Sequence, residues 1–100
     1  MSNPQPPQPA PRPPPSFVLS SHAVLAISAR GLDLAWIESC MASPDRRELD
    51  RVDPTLRHVL KRIDAAEGRV LRVVYNPTPT PLGPPLIVTA FLDRSMKGKL

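Results

Sequence analysis

Eight of the first fifteen residues, MSNPQPPQPAPRPPP, are proline, and this confines any fold to the rest of the chain. Proline has no amide hydrogen to donate and a fixed φ, so such a stretch cannot enter a helix interior or a central strand. The composition predicts a disordered arm over residues 1–15, solvated and extended in the manner of polyproline. One domain remains, residues 16–100. A unit of that size buries a single core of modest stability.

Within it the pattern runs from helices to strands. SFVL (16–19) reads as a short strand or an extended lead-in. Ser20 or Ser21 then caps a helix running to about Arg30, and Gly31 is placed to end it in a left-handed conformation. Asp33 caps a second helix, LAWIESCMA, with Leu34, Ile37 and Cys40 or Met41 on its buried face, and Pro44 closes it. Trp36 lies off that line and either covers the helix pair or faces a partner. DRRELDRVDP is charged and turn-prone, with an irregular edge strand around Arg46, Arg47 and Arg51. LRHVLKRI alternates as a strand, Asp64 to Gly68 form a turn, and RVLRVVYN is a stronger strand. NPTPTPLGPP cannot pair within a sheet, and LIVTAFL, the most apolar segment, is expected at the centre. The expected fold class is α+β: two N-terminal helices packed on an antiparallel sheet of three to four strands.

Composition narrows the chemistry. One cysteine, Cys40, excludes an intramolecular disulfide and a cysteine-rich metal site, and its apolar setting predicts a buried thiol. The histidines stand far apart, no carboxylates show ligand spacing, and no glycine-rich loop could cradle a phosphate, so neither metal nor cofactor is expected. No apolar run reaches the roughly 20 residues of a membrane span. The N-terminus lacks the layout of a secretory signal, and a cytoplasmic setting is expected. Thirteen Lys and Arg against nine Asp and Glu favour a polyanionic partner, either nucleic acid or an acidic protein.

His22 and Arg30 bracket the first helix. They stand a little over two turns apart, so they project from roughly the same side. An imidazole that titrates near neutrality beside a permanent cation suits phosphodiester chemistry. Thr89 interrupts the apolar LIVTAFL, where alternation groups it with Ile87 and Phe91; its hydroxyl either bonds across the sheet or points into a site. Arg72 interrupts RVLRVVYN in the same way. With Arg57, Lys61, Arg62 and Arg69 it is expected to build a basic sheet surface for backbone phosphates.

The segments HAVLAISARGL, LRVVYN and LIVTAFLDRSMKGKL resemble the bacterial family called domain of unknown function 4258. Its first helix reads H-A-x-x-R-x-x-x-R-G-I, and its last strand (I/V)-(V/I)-T-A-(F/Y) precedes a basic tail. The resemblance covers residues 17–100. It is similar in turn to the RelE, BrnT and barnase-like ribonuclease toxins, which implies two helices on a four-stranded antiparallel sheet and metal-independent RNA cleavage. By position, His22 would be the acid–base group, Arg30 the phosphate-binding cation, Thr89 the strand hydroxyl facing the site and Lys97 a tail cation. Ala26 stands where the motif has its first arginine. Two functions are therefore expected in competition: a small toxin-like endoribonuclease, or a non-catalytic module of the same fold that binds RNA or an antitoxin-like protein; a third reading makes the domain a structural accessory with a solubilising arm.

Overall fold

A computed structural model describes residues 17–100. The arm predicted over 1–15, and Ser16 at the start of the predicted domain, lie outside the described residues. In chain order the elements are β1 (Val18–Leu19), α1 (Ser21–Ala29), α2 (Leu34–Ala42), β2 (Arg46–Leu49), β3 (Arg57–Ile63), β4 (Arg69–Asn76) and β5 (Leu86–Leu92). Single turns of 3₁₀ helix follow β3 and β5, at Asp64–Ala66 and Arg94–Met96.

The helix boundaries follow local chemistry. Ser20 accepts from the Ala23 amide and caps α1, and Gly31 ends that helix at φ +62°. Asp33 accepts from the Ala35 amide and caps α2. Ile37 and Cys40 are buried on α2, as its spacing predicts, but Leu34 is 43% exposed. Leu32, in the link between the helices, packs into the core instead. Trp36 is half-buried against that same core.

The sheet corrects the expected three or four antiparallel strands. It has five, in the order β1-β5-β4-β3-β2, and β1 runs parallel to β5 while the other pairs are antiparallel. Two residues carry no readable alternation, so the β1 pairing is invisible until the chain closes on itself. Its rungs include Val18 N–H to Pro85 O at 2.8 Å and Ser20 N–H to Ile87 O at 2.9 Å. A second correction concerns the centre: β4 is the middle strand, and β5 lies between it and β1.

Both helices cover one face. Ala23, Ile37 and Cys40 meet Val59, Ile63, Leu71, Val73, Ile87 and Ala90 in the main core. Burying each large aliphatic side chain of this set contributes about 1.5–3 kcal/mol. On the other face a smaller cluster joins Leu60, Val70 and Met96, with Leu100 against it, so the C-terminal segment folds over part of the sheet.

A bulge in β5 decides where its side chains point. Val73 faces Ala90 and Val74 faces Thr89, but Tyr75 faces Ile87, which leaves Val88 as an extra residue. Ile87 and Ala90 therefore share the helix face, and Thr89 turns to the open face. This overturns the alternation that grouped Thr89 with Ile87.

Candidate functional site

β1 covers β5 only at Leu86 and Ile87. Beyond that point no strand among the described residues lies beside the outer edge of β5, and the residues capping α1 supply donors there. Ser20 Oγ donates to Val88 O at 3.2 Å, and Arg30 Nη1 donates to Ala90 O at 2.9 Å. The same Nη1 reaches Thr89 Oγ1 at 3.3 Å. A buried carbonyl without a donor costs about 1–3 kcal/mol, so these contacts complete the edge as well as fixing the guanidinium. Nε and Nη2 of Arg30 make no hydrogen bond with a described residue and retain their N–H groups for a ligand.

His22 lies in the first turn of α1, exposed and without a hydrogen-bonding partner among the described residues. Ala26, one turn later, is 7% exposed. Of the three predicted catalytic residues, the fold brings Arg30 and Thr89 into contact and leaves His22 on the same helix, about 12 Å along its axis from Arg30 at 1.5 Å per residue.

The predicted basic surface is divided. Arg57, Lys61 and Arg69 alternate with the open face and belong to the helix side, whereas Arg62 and Arg72 belong to the open face. Arg57 Nη1 donates to Pro54 O and Leu56 O, and Lys61 Nζ donates to Ser43 O. Lys97 is exposed beside a small cavity at the end of β5.

Arg72 sits at the centre of a polar network that sequence reasoning missed. Its Nε donates to Asp93 Oδ2 at 2.7 Å and its Nη1 to Glu48 Oε1 at 2.8 Å. The Arg72 and Asp93 side chains are each only 12% exposed. Nη1 also lies 2.8 Å from His58 Nδ1, and His58 Nε2 lies 2.7 Å from Asp50 Oδ1. A guanidinium can only donate, so Nδ1 accepts and the ring proton sits on Nε2, given to Asp50. Arg46 Nε closes the network on Glu48 Oε2 at 2.9 Å. The available signal was positional: Glu48 pairs with His58 and Leu60 with Arg72, so the charges of β2, β3 and β4 fall on one face once the register is set.

The electrostatics match this geometry. The hydrogen bond from Arg72 holds Glu48 below the usual carboxylate range. Asp50 is drawn down to about 2, by the Asp53 amide first, then by His58 and the Val52 amide. Asp93 is lowered by the Ser95 hydroxyl and by Arg72. Burial works against the charge on Arg72, yet its hydrogen bonds to Glu48 and Asp93 outweigh that and raise its pKa. The cluster is satisfied internally: it ties β2 to β4 and offers no free cation. On the helix side, burial pushes the Cys40 thiol up to about 12.

Among the described residues no three His, Cys, Asp or Glu side chains are grouped so as to hold a metal ion, and no helix is long and apolar enough to cross a membrane. The chemically available arrangement is thus the α1–β5 edge: a fixed cation touching a hydroxyl, with an unpartnered imidazole on the same helix. The model of the family described as "Domain of unknown function (DUF4258)" matches residues 19–92, a span that contains His22, Arg30 and Thr89. No curated protein and no solved structure matches the chain.

Proposed function

The chain belongs to the family described as Domain of unknown function (DUF4258), and from the α1–β5 edge we propose that it is a small, toxin-like, metal-independent endoribonuclease working in the cytoplasm. The contact of Arg30 with Thr89, on the same helix as the free imidazole of His22, carries this reading. Arg30 receives the scissile phosphate through its remaining N–H groups and stabilises the charge that builds on phosphorus. Neutral His22 takes the proton of the ribose 2′-hydroxyl as that oxygen attacks phosphorus. The bond to the 5′-oxygen breaks, water protonates the leaving oxygen, and a 2′,3′-cyclic phosphate remains. Thr89 orients the guanidinium. The grouping with RelE-like toxins, and an antitoxin-like protein as partner, belong to the same proposal.

The test incubates the purified protein and its His22→Ala variant with labelled single-stranded RNA in EDTA. A cyclic-phosphate product that disappears in a folded variant supports the reading. Equal cleavage by both proteins overturns it.

Two observations favour a second reading, that of a binding module. Ala26 leaves no cation between His22 and Arg30, and Arg30 Nη1 is already committed to Ala90 O. A protein that binds RNA in a salt-dependent manner and yields no product would establish that reading.

A further inference from the structure

The end of β5 carries a second concentration of positive charge, apart from Arg30 and from the Arg72 network. A cavity of about 240 Å³ is lined there by Arg69, Leu92, Asp93, Arg94 and Lys97. The three basic residues are exposed. Among the described residues, neither Arg94 nor Lys97 makes an ion pair or a side-chain hydrogen bond. Arg69 uses only Nε, which donates to Ala66 O at 3.0 Å.

The one acid in the lining does not offset them. Asp93 Oδ2 accepts from Arg72, and Oδ1 accepts from the Ser95 amide and hydroxyl. Both oxygens are engaged, and the carboxylate is held towards Arg72 on the far side from the cavity cations. Three basic residues therefore border a small, largely apolar concavity, with their charged ends at its rim and Leu92 in its wall. The volume falls below the roughly 300 Å³ at which drug-sized ligand pockets begin. It suits part of one sugar, with the phosphate met by the basic rim.

Leu92 follows Ala90, the residue that Arg30 grips, by two positions, or about 7 Å along the strand. We propose that Arg69, Arg94 and Lys97 form a phosphate-binding subsite that holds a backbone phosphate of single-stranded RNA next to the one at Arg30. This deepens the ribonuclease reading and rests on it for the identity of the ligand. The subsite sets the direction in which a strand runs along β5 and contributes to affinity rather than to chemistry.

The experiment measures binding of a fluorescent 2′-O-methyl oligoribonucleotide, whose blocked 2′-oxygen cannot attack, by anisotropy across a salt series. The full chain is compared with Arg94→Gln/Lys97→Gln and with a control, Arg47→Gln/Arg51→Gln, which loses the same charge at the far edge of the sheet. All four positions are exposed. The pocket pair is expected to weaken binding and to lower the slope of log K against log salt by about 0.7, the value for one phosphate contact on a single strand. The control pair leaves the slope within a few tenths of that of the unaltered chain. Equal loss in both pairs, an unchanged slope in the pocket pair, or no binding by the unaltered chain overturns the assignment. If the slope separates the pairs but ordinary RNA is not cut, the catalytic reading fails and the subsite stands.

Discussion

Arg72 on β4 and His58 on β3 face one another across the open side of the sheet, with Nη1 2.8 Å from Nδ1. The same guanidinium holds Glu48 from β2 and Asp93 from the end of β5. One side chain thus ties the edge strand to the middle of the sheet and anchors the turn that carries the C-terminal segment. Its surroundings are mostly dry, and in such a setting hydrogen-bonded charges are worth keeping together and costly to separate.

Because Nδ1 accepts from Arg72, His58 is expected as the Nε2–H tautomer in the folded protein near neutral pH. Imidazole ¹⁵N chemical shifts check this. A proton found on Nδ1 would remove the Arg72–His58 hydrogen bond from the description.

Arg72→Ala leaves the largely buried Asp93 side chain without its cation and frees Glu48. A loss of about 3 kcal/mol is expected on denaturant unfolding. Arg72→Lys recovers only part of it, since an ammonium cannot serve Nε and Nη1 partners at once. A change below about 1 kcal/mol in the alanine variant would mean that the network contributes little.

Acid should loosen the same region. Asp50, Glu48 and Asp93 all have folded pKa values below their ordinary ones, with Asp50 at about 2. Groups depressed in the folded state contribute stability that is present above their unfolded pKa and lost as pH falls through the folded value. Stability should therefore decline from about pH 4 towards pH 2. In Asp50→Asn the part due to Asp50 disappears, and the decline is shallower. Thermal midpoints over that range measure it.

Under the proposed ribonuclease function, Arg30→Ala at the α1–β5 edge is expected to lower RNA cleavage about 100-fold, in line with the loss of one preorganised charge-stabilising donor. Thr89→Val removes a single 3.3 Å contact and should cost less. A larger loss in Thr89→Val than in Arg30→Ala would reassign the roles. Single-turnover cleavage rates decide the order.

Cys40 is fully buried and its pKa stands at about 12. A thiol-specific reagent at neutral pH should react with the native protein only at the rate of unfolding, and promptly in denaturant. Fast labelling of the native state would show the core to be open at α2.

Much of the local structure is legible along the chain. Ser20 and Asp33 announce helix starts because their side chains accept from amides three and two residues on, and Gly31 announces a stop because it tolerates a positive φ. The strands RHVLKRI, RVLRVVYN and LIVTAFL are visible as runs of apolar and β-branched residues. The candidate site is legible only in part. His22, Arg30 and Thr89 can be named from the sequence, but the reason Arg30 meets Thr89 cannot.

The sequence by itself determined the two helices, their caps and the strands from Arg57 onward, because those signals act between residues a few positions apart. Tertiary structure alone decided the parallel docking of β1, the bulge that turns Thr89 to the open face, and the partners of Arg72. Arg30 and Thr89 are 59 residues apart in the chain, while Arg72 is 24 from Glu48 and 21 from Asp93. No local propensity reports on such pairs. They exist once the register of the strands places them side by side, and that register is set by the whole sheet burying its apolar face under the helices.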